Sequence, residues 1–177
     1  MKPVATTAAY LIEPLDRRHD RKSFACGQPD LDRYLKQQAR QDATRRVAAT
    51  FAAVERGAAV LAGYYSLSAT GVPLQDLPPE TAARLPRYPL LPATLLGRLA
   101  VDRAHQGRKL GEFLLVDALH RTLEQSKAIG SIAVIVDAID DRARAFYQHF
   151  EFIALPDQPR RLFLPMETIA GLFGTDR

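Results

Sequence analysis

Residues 99–111 read Leu99-Ala100-Val101-Asp102-Arg103-Ala104-His105-Gln106-Gly107-Arg108-Lys109-Leu110-Gly111. An apolar run ends at an acidic residue, a short polar stretch follows, and a glycine-bearing helical pattern begins, so the segment predicts a strand, a turn of about four residues and the first turn of a helix. At such a junction the free backbone N–H groups and the positive end of the helix dipole converge on one point, which suits a phosphate or pyrophosphate. Arg108 and Lys109 add positive charge there. The segment contains neither G-x-G-x-x-G nor G-x-x-x-x-G-K-[ST], so it supports neither a dinucleotide-binding nor a P-loop reading. A plain helix start with glycines for packing stays open on this segment alone.

Downstream, the pattern alternates. Leu96 to Asp102 reads as a strand and Lys109 to Ser126 as a helix whose apolar face recurs at Leu110, Leu114, Leu115, Ala118, Leu119 and Leu123. Ser131 to Asp137 is a second strand, Asp141 to Phe150 a second helix, and Phe152 to Leu155 and Arg161 to Leu164 are short closing strands. Two β-α units predict right-handed crossovers and parallel neighbours. Upstream, Tyr10 to Glu13 reads as a strand, and Pro29-Asp30 opens a helix running to about Thr44 with Asp30 and Asp32 in its first turn. On that helix Arg33, Lys36 and Arg40 fall on one face and Leu31, Tyr34, Leu35 and Gln38 on the other; Arg45 and Arg46 extend the basic stripe. Val47 to Val54 and Ala59 to Ser68 form a hairpin-like pair around Glu55-Arg56-Gly57-Ala58. The expected fold is α/β: a mixed sheet, antiparallel in its first half and parallel at its centre, flanked by helices, over a single domain spanning 1–177.

Between the halves, six of the twelve prolines (Pro73, Pro78, Pro79, Pro86, Pro89 and Pro92) crowd into twenty residues, which argues against continuous strand or helix there. A short helix with Pro79 in its first turn and Glu80 to Leu85 following is expected inside this excursion.

The chain has 177 residues, 47% of them hydrophobic and 25% charged, a globular and not a disordered profile. Apolar runs such as Ile132 to Val136 are strand-sized, far below the roughly 20 residues needed to cross a bilayer. Met1 to Leu15 lacks the features of a secretory signal, so a cytoplasmic location is expected. The lone Cys26 forms no internal disulfide and has no metal-ligand cluster around it; a half-buried structural thiol is the expectation, with no metal. The net charge of +4 comes from 19 Arg against 5 Lys, and Arg favours planar contact with phosphate. Of the histidines, His19 and His120 read as solvated, His105 lies in the turn after the strand and His149 beside Tyr147. Asp137, Asp140 and Asp141 read as caps of the following helix.

Gln106-Gly107-Arg108-Lys109-Leu110-Gly111 resembles the acyl-CoA loop of the GNAT-superfamily N-acetyltransferases, written Q/R-x-x-G-x-G/A, and Ala145-Phe146-Tyr147-Gln148-His149-Phe150-Glu151-Phe152 resembles their helix-to-strand segment A-x-F-Y-x-x-x-G-F. Phe24-x-x-Gly27, Gly63-Tyr64-Tyr65-Ser66-Leu67-Ser68, Leu85-Pro86-Arg87-Tyr88-Pro89 and Leu96-Gly97-Arg98-Leu99-Ala100-Val101-Asp102 resemble one branch, the GNAT-type toxins of bacterial toxin-antitoxin pairs. The order and spacing of the segments together carry the resemblance. The chain departs from the pattern at both glycines in question: Lys109 stands where the loop has its middle glycine, and Glu151 where the later segment has Gly.

The resemblance implies acetyl-CoA as co-substrate, held by Gln106, Gly107, Arg108, Lys109, Leu110, Gly111 and Glu112 with Phe146, and by backbone N–H groups of Leu99, Ala100 and Val101 that polarise the thioester carbonyl. Transfer also needs a proton for the leaving thiolate, and Tyr147, with a reference pKa of about 10, is the best-suited donor. No general base stands out. An α-amine, near 7.7 to 8.0, is substantially neutral without one, whereas a lysine near 10.4 is not. That favours an α-amino acceptor, as in the toxin branch, which acetylates aminoacyl-tRNA and stops translation. Arg33, Lys36, Arg40, Arg45 and Arg46, with Arg84 and Arg87 on the proline excursion, are the candidate RNA contacts. No aromatic-rich single-strand platform is visible, so contact to phosphates and shape is expected. The resemblance also implies a small antitoxin of the ribbon-helix-helix kind; a homodimer is left open. The competing readings are a GNAT enzyme acting on a small amine or a protein N-terminus, and a catalytically silent GNAT-like binding module.

Overall fold

The computed structural model describes residues 9–174; residues 1–8, which hold part of the stretch read above for a secretory signal, lie outside it. Seven strands, β1 (Tyr10–Pro14), β2 (Ala49–Glu55), β3 (Leu61–Pro73), β4 (Leu90–Val101), β5 (Ala133–Asp137), β6 (Ile153–Leu155) and β7 (Gln158–Pro165), hydrogen-bond in the order β1-β2-β3-β4-β5-β7-β6. The helices are α1 (Pro29–Gln37), α2 (Ala39–Thr44), α3 (Pro79–Ala82), α4 (Leu110–Gln125), α5 (Asp141–His149) and α6 (Met166–Leu172). This is the mixed α/β sheet expected. The chain divides into two compact units, Met1–Ser68 with Gly97–Ala118, and Ala69–Leu96 with Leu119–Arg177. No described helix is long and apolar enough to cross a membrane, and the described residues contain no cluster of His, Cys, Asp and Glu able to hold a metal.

In the first unit, β1 pairs antiparallel with β2, and β2 with β3. Strand alternation gives β3 two faces. Tyr64 points into a cluster with Phe24, Tyr34, Leu35 and Ala100, so α1 covers that side. Gly63 points the other way, toward the start of α4. A Cβ at Gly63 would lie 2.9 Å from the Ala100 carbonyl oxygen and 2.9 Å from Leu114 Cδ1, so only glycine lets these backbones approach.

The basic helix differs from expectation. It is two helices, interrupted at Gln38, whose φ of −122° and ψ of −34° leave the helical region. The break changes the phase of the helical repeat: Arg33 and Lys36 are exposed, but Arg40 is half-buried. His19 is also not solvated. It is 5% exposed, accepts from the Asp16 N–H through Nδ1 at 2.9 Å and meets Glu13 Oε1 through Nε2 at 2.9 Å. That hydrogen bond holds the Glu13 carboxyl below its ordinary value. Three residues adjacent in space but spread along residues 13–19 make this pocket, which a residue-type reading does not reveal.

In the second unit, β4 begins at Leu90 and passes through Pro92, six residues before the predicted start. Pro92 interrupts nothing, because its carbonyl accepts from the Ile132 N–H at 2.9 Å and its missing N–H is not called upon. The short helix in the excursion is present as α3, ending at Ala82. Strands β4 and β5 pair in parallel at Thr94↔Val134 and Leu96↔Val136. The second β-α unit does not give a second parallel neighbour: β7 pairs antiparallel with both β5 and β6. Leu162, Phe163 and Leu164 are buried on both faces of β7 and belong inside a sheet, whereas the three-residue β6, with Ile153 exposed, suits an edge. Helix α6, which anchors Ile169, was too short for its periodicity to be legible.

Gly63→Ala is expected to lower stability by about 1–3 kcal/mol, because the new methyl meets a backbone oxygen and cannot be relieved by a rotamer change. Urea unfolding of the two proteins checks this, with an unchanged midpoint as the contrary result.

Candidate active site

Asp102 organises the end of β4 in the first unit. Its Oδ1 accepts from the Ala25 N–H and its Oδ2 from the Ala104 N–H, both at 2.9 Å. Its own N–H donates to the Ala62 carbonyl at 2.8 Å, and Arg103 N–H donates to the Ala25 carbonyl at 2.9 Å. Gln106 completes the frame. Its Nε2 donates to the carbonyls of Cys26 and Val101, each at 3.0 Å, so both amide hydrogens are engaged in holding the loop. The first residue of the predicted cofactor motif is therefore a brace.

The following residues are open. Gly107 has φ +80°, and a Cβ built there meets no atom within 4 Å. Lys109 has φ +62° and is exposed. Two left-handed residues flank Arg108 immediately before the sixteen-residue α4, whose first-turn N–H groups have no intrahelical acceptors. The loop thus fits a pyrophosphate by backbone geometry. Of its two cations, Arg108 sits 3.4 Å from Glu55, while Lys109 forms no ion pair among the described residues. The Tyr10 hydroxyl and His105 Nδ1 share a hydrogen bond of 2.8 Å, which ties the turn to β1.

The thiol of Cys26 is pushed up to about 11, chiefly by burial and then by a hydrogen bond with Asp32, which is inert chemistry, as expected. His120 and His149 are exposed. Asp140 caps α5 by accepting from the Ala143 N–H at 2.8 Å, and Asp137 pairs with Arg161 at 3.4 Å.

Tyr147, in the second unit, is 7% exposed. Burial alone pushes its phenol above the ordinary range, so it stays protonated. Its ring packs edge-on against Phe146 and Phe152, and among the described residues its hydroxyl donates to no acceptor. Its backbone is fixed by the end of α5. Phe152 N–H donates to the Tyr147 carbonyl at 3.2 Å and Glu151 N–H to the Gln148 carbonyl at 3.0 Å, with the Phe152 and Tyr147 rings 5.4 Å apart. This is a Schellman motif with its hydrophobic contact. Its left-handed position is Glu151, φ +71°. The two departures from the family glycines therefore keep the glycine conformation.

The predicted RNA contacts divide between the units. Arg33, Lys36, Arg45 and Arg46 are exposed in the first, with Arg33 bonded to Asp30 at 2.9 Å. Arg40 lies near Arg21, whose guanidinium is held below its ordinary value by burial and then by Arg40. Arg84 and Arg87 are exposed in the second unit. The sequence assigned no role to Arg98 itself, although it lies in the Leu96–Asp102 segment that carries the resemblance. Its guanidinium lies 3.4 Å above the Tyr34 ring, a pairing across 64 positions that no local pattern displays.

A profile of the "Acetyltransferase (GNAT) domain" family matches residues 90–168. A tRNA-acetylating toxin of Mycobacterium tuberculosis is 39% identical over 155 residues, 88% of this chain and 91% of that protein. Among solved structures, AtaT complexed with acetyl-methionyl-tRNAfMet superposes with a TM-score of 0.86 at 28% identity, over 93% of this chain and 99% of that one. A tyrosine-to-phenylalanine mutant of the AtaT toxin, bound to the C-terminus of the antitoxin AtaR and acetyl-CoA, gives 0.80 at 25% identity over 93% and 98%.

Replacing the left-handed Lys109 or Glu151 by glycine relieves a conformation that costs an L-residue about 1 kcal/mol. Each of Lys109→Gly and Glu151→Gly is expected to raise Tm by about 2–4 °C, read by calorimetry; a lower Tm in Glu151→Gly would show that the glutamate side chain stabilises the turn in another way.

Proposed function

The chain belongs to the GNAT acetyltransferase family, and from that membership we propose that it is a toxin that acetylates the α-amino group of aminoacyl-tRNA, so blocking translation. The observation that carries this reading is the likeness, along nearly the whole chain, to a tRNA-acetylating toxin. It is supported by the open loop at the start of α4 and by an exposed basic surface on α1 and beyond α2.

Acetyl-CoA supplies the acetyl group: the amine nitrogen forms a C–N bond to the carbonyl carbon, the C–S bond breaks, and a thiolate leaves. The backbone N–H groups of residues 107–112 and the Lys109 ammonium hold the pyrophosphate. A backbone N–H within Leu99–Val101 donates to the carbonyl oxygen as charge develops on it. Tyr147 gives its phenolic proton to the thiolate, and the proton lost by the attacking amine restores it through solvent. Burial keeps the Tyr147 phenol protonated, and among the described residues no acceptor competes for its proton. No base is needed for an amine that is already substantially neutral. Phe146 packs beside Tyr147 and orients it.

The antitoxin seen with AtaT makes a small partner protein, of the ribbon-helix-helix type, part of the same proposal, and charged tRNA as acceptor makes the cytoplasm the site of action. A homodimer is compatible with this reading.

Tyr147→Phe is expected to slow acetylation about 10²- to 10⁴-fold while keeping Tm and acetyl-CoA affinity, because only the hydroxyl is lost. Single-turnover rates on charged tRNA test it, and an unchanged rate would make solvent the proton donor. Reversing Arg33, Lys36 and Arg45 to Glu should abolish transfer to charged tRNA and leave acetyl-CoA binding intact. Wild-type rates should fall steeply from roughly 50 to 200 mM salt, with a log-log slope of about one per phosphate neutralised. A flat profile with full activity in the triple variant would favour a small-amine substrate.

A further inference from the structure

Arg98 has an unusual environment for a half-buried cation. Its guanidinium lies flat on the Tyr34 ring at 3.4 Å, yet among the described residues no carboxylate or carbonyl accepts from its five N–H groups. The ring beneath it is anchored through its hydroxyl and its neighbours. The Tyr34 hydroxyl donates to Asp42 at 2.9 Å, Gln38 donates to the other oxygen of the same carboxylate at 2.9 Å, and Tyr64 stacks against Tyr34 at 6.5 Å with its own hydroxyl on the Leu31 carbonyl. These hydrogen bonds hold the Asp42 carboxyl below its ordinary value, so it stays ionised and continues to hold the ring. Beside this platform lies a groove of about 350 Å³, bordered by Arg98, Tyr34, Gln37 and Gln38 and by the Arg33–Asp30 ion pair. Gln37 is exposed and its side-chain amide has no partner among the described residues.

A guanidinium with one face on an aromatic ring offers its other face to a second planar group and its edge to anionic or carbonyl oxygens. The groove, at the small end of the range for ligand sites, admits one nucleotide-sized group and no duplex. Arg98 is also the residue immediately before Leu99, so the groove opens one residue from the strand segment assigned to the thioester carbonyl. We propose that the Arg98–Tyr34 stack receives one unpaired nucleotide of the acceptor's 3′ end, its base on the outer face of the guanidinium and its polar edge against Gln37. The choice of ligand rests on the tRNA reading above. The groove accounts for recognition of the single-stranded end, separately from the exposed cations that meet the backbone electrostatically. It supplies the stacking element that no contiguous stretch of the sequence displays.

The test pairs direct binding with turnover. An NMR titration of the wild-type protein with the trinucleotide CCA is expected to shift resonances of residues around Tyr34 and Arg98. Arg98→Lys keeps the charge and loses the plane, so it should weaken that binding about ten-fold and raise KM for charged tRNA to a similar degree, with kcat, acetyl-CoA affinity and Tm retained. Gln37→Glu, at an exposed position, should weaken both several-fold and carries the test if Arg98→Lys does not fold. Absence of shifts at the groove, or equal trinucleotide affinity in wild type and variants, would overturn the proposal while leaving tRNA acetylation standing. A wild-type protein that binds the trinucleotide at the groove but does not acetylate charged tRNA would instead overturn the functional reading.

Discussion

The carboxylate of Asp102 is the constraint on which the first unit's working end depends. Both of its oxygens and its backbone N–H are engaged, with Ala25, Ala104 and Ala62, so three segments distant in sequence meet at the end of β4. Charge-assisted bonds to backbone N–H groups are stronger than neutral ones, and here they set where the chain turns. Gln106 adds two donors to the same frame. With these bonds made, residues 107–109 need no side-chain support and present their backbone outward. A loop that binds a pyrophosphate through N–H groups has to be rigid without covering them, and bracing it from behind meets both requirements.

The second unit solves a parallel problem by different means. A buried phenol is kept in place with its hydroxyl uncommitted. Its carbonyl accepts from Phe152, its ring rests against Phe146 and Phe152, and helix α5 ends in a left-handed residue that turns the chain back over it. In both units the residue at the left-handed turn, Lys109 or Glu151, is charged where the motif it resembles is written with glycine. The backbone conformation is retained and the strain is borne locally. The motif thus records a conformational requirement, and the fold tolerates its violation at modest cost in stability.

Much of this was legible from local pattern. The six apolar positions of α4 and the hairpin of β2 and β3 follow from periodicity and turn chemistry, since each depends on residues a few positions apart. The parallel pairing of β4 with β5 follows from the helix between them. The break at Gln38 was not legible, because Arg40 continues a helical count that the backbone leaves two residues earlier. The start of β4 was missed for the opposite reason: prolines that disfavour a strand in general are harmless where the missing N–H faces no partner. Strand β7 entered between β5 and β6 because its three buried residues demand cover on both faces, a comparison between strands and not a property of either one.

By itself the sequence determined the α/β class, the helix-start loop at residues 106–111, the family likeness and Tyr147 as the proton donor to consider, since each is written in contiguous residues whose spacing or order is the signal. Tertiary structure alone decided that Gln106 braces the loop, that His19 is buried against Glu13, that Tyr147 keeps an unshared hydroxyl, and that Arg98 lies on Tyr34. The physical reason is common to all four. A hydrogen bond or a stacked pair is short-ranged and directional, so it depends on which side chains come within about 3–4 Å of each other, and only the folded chain decides that for residues as far apart as 26 and 106 or 34 and 98.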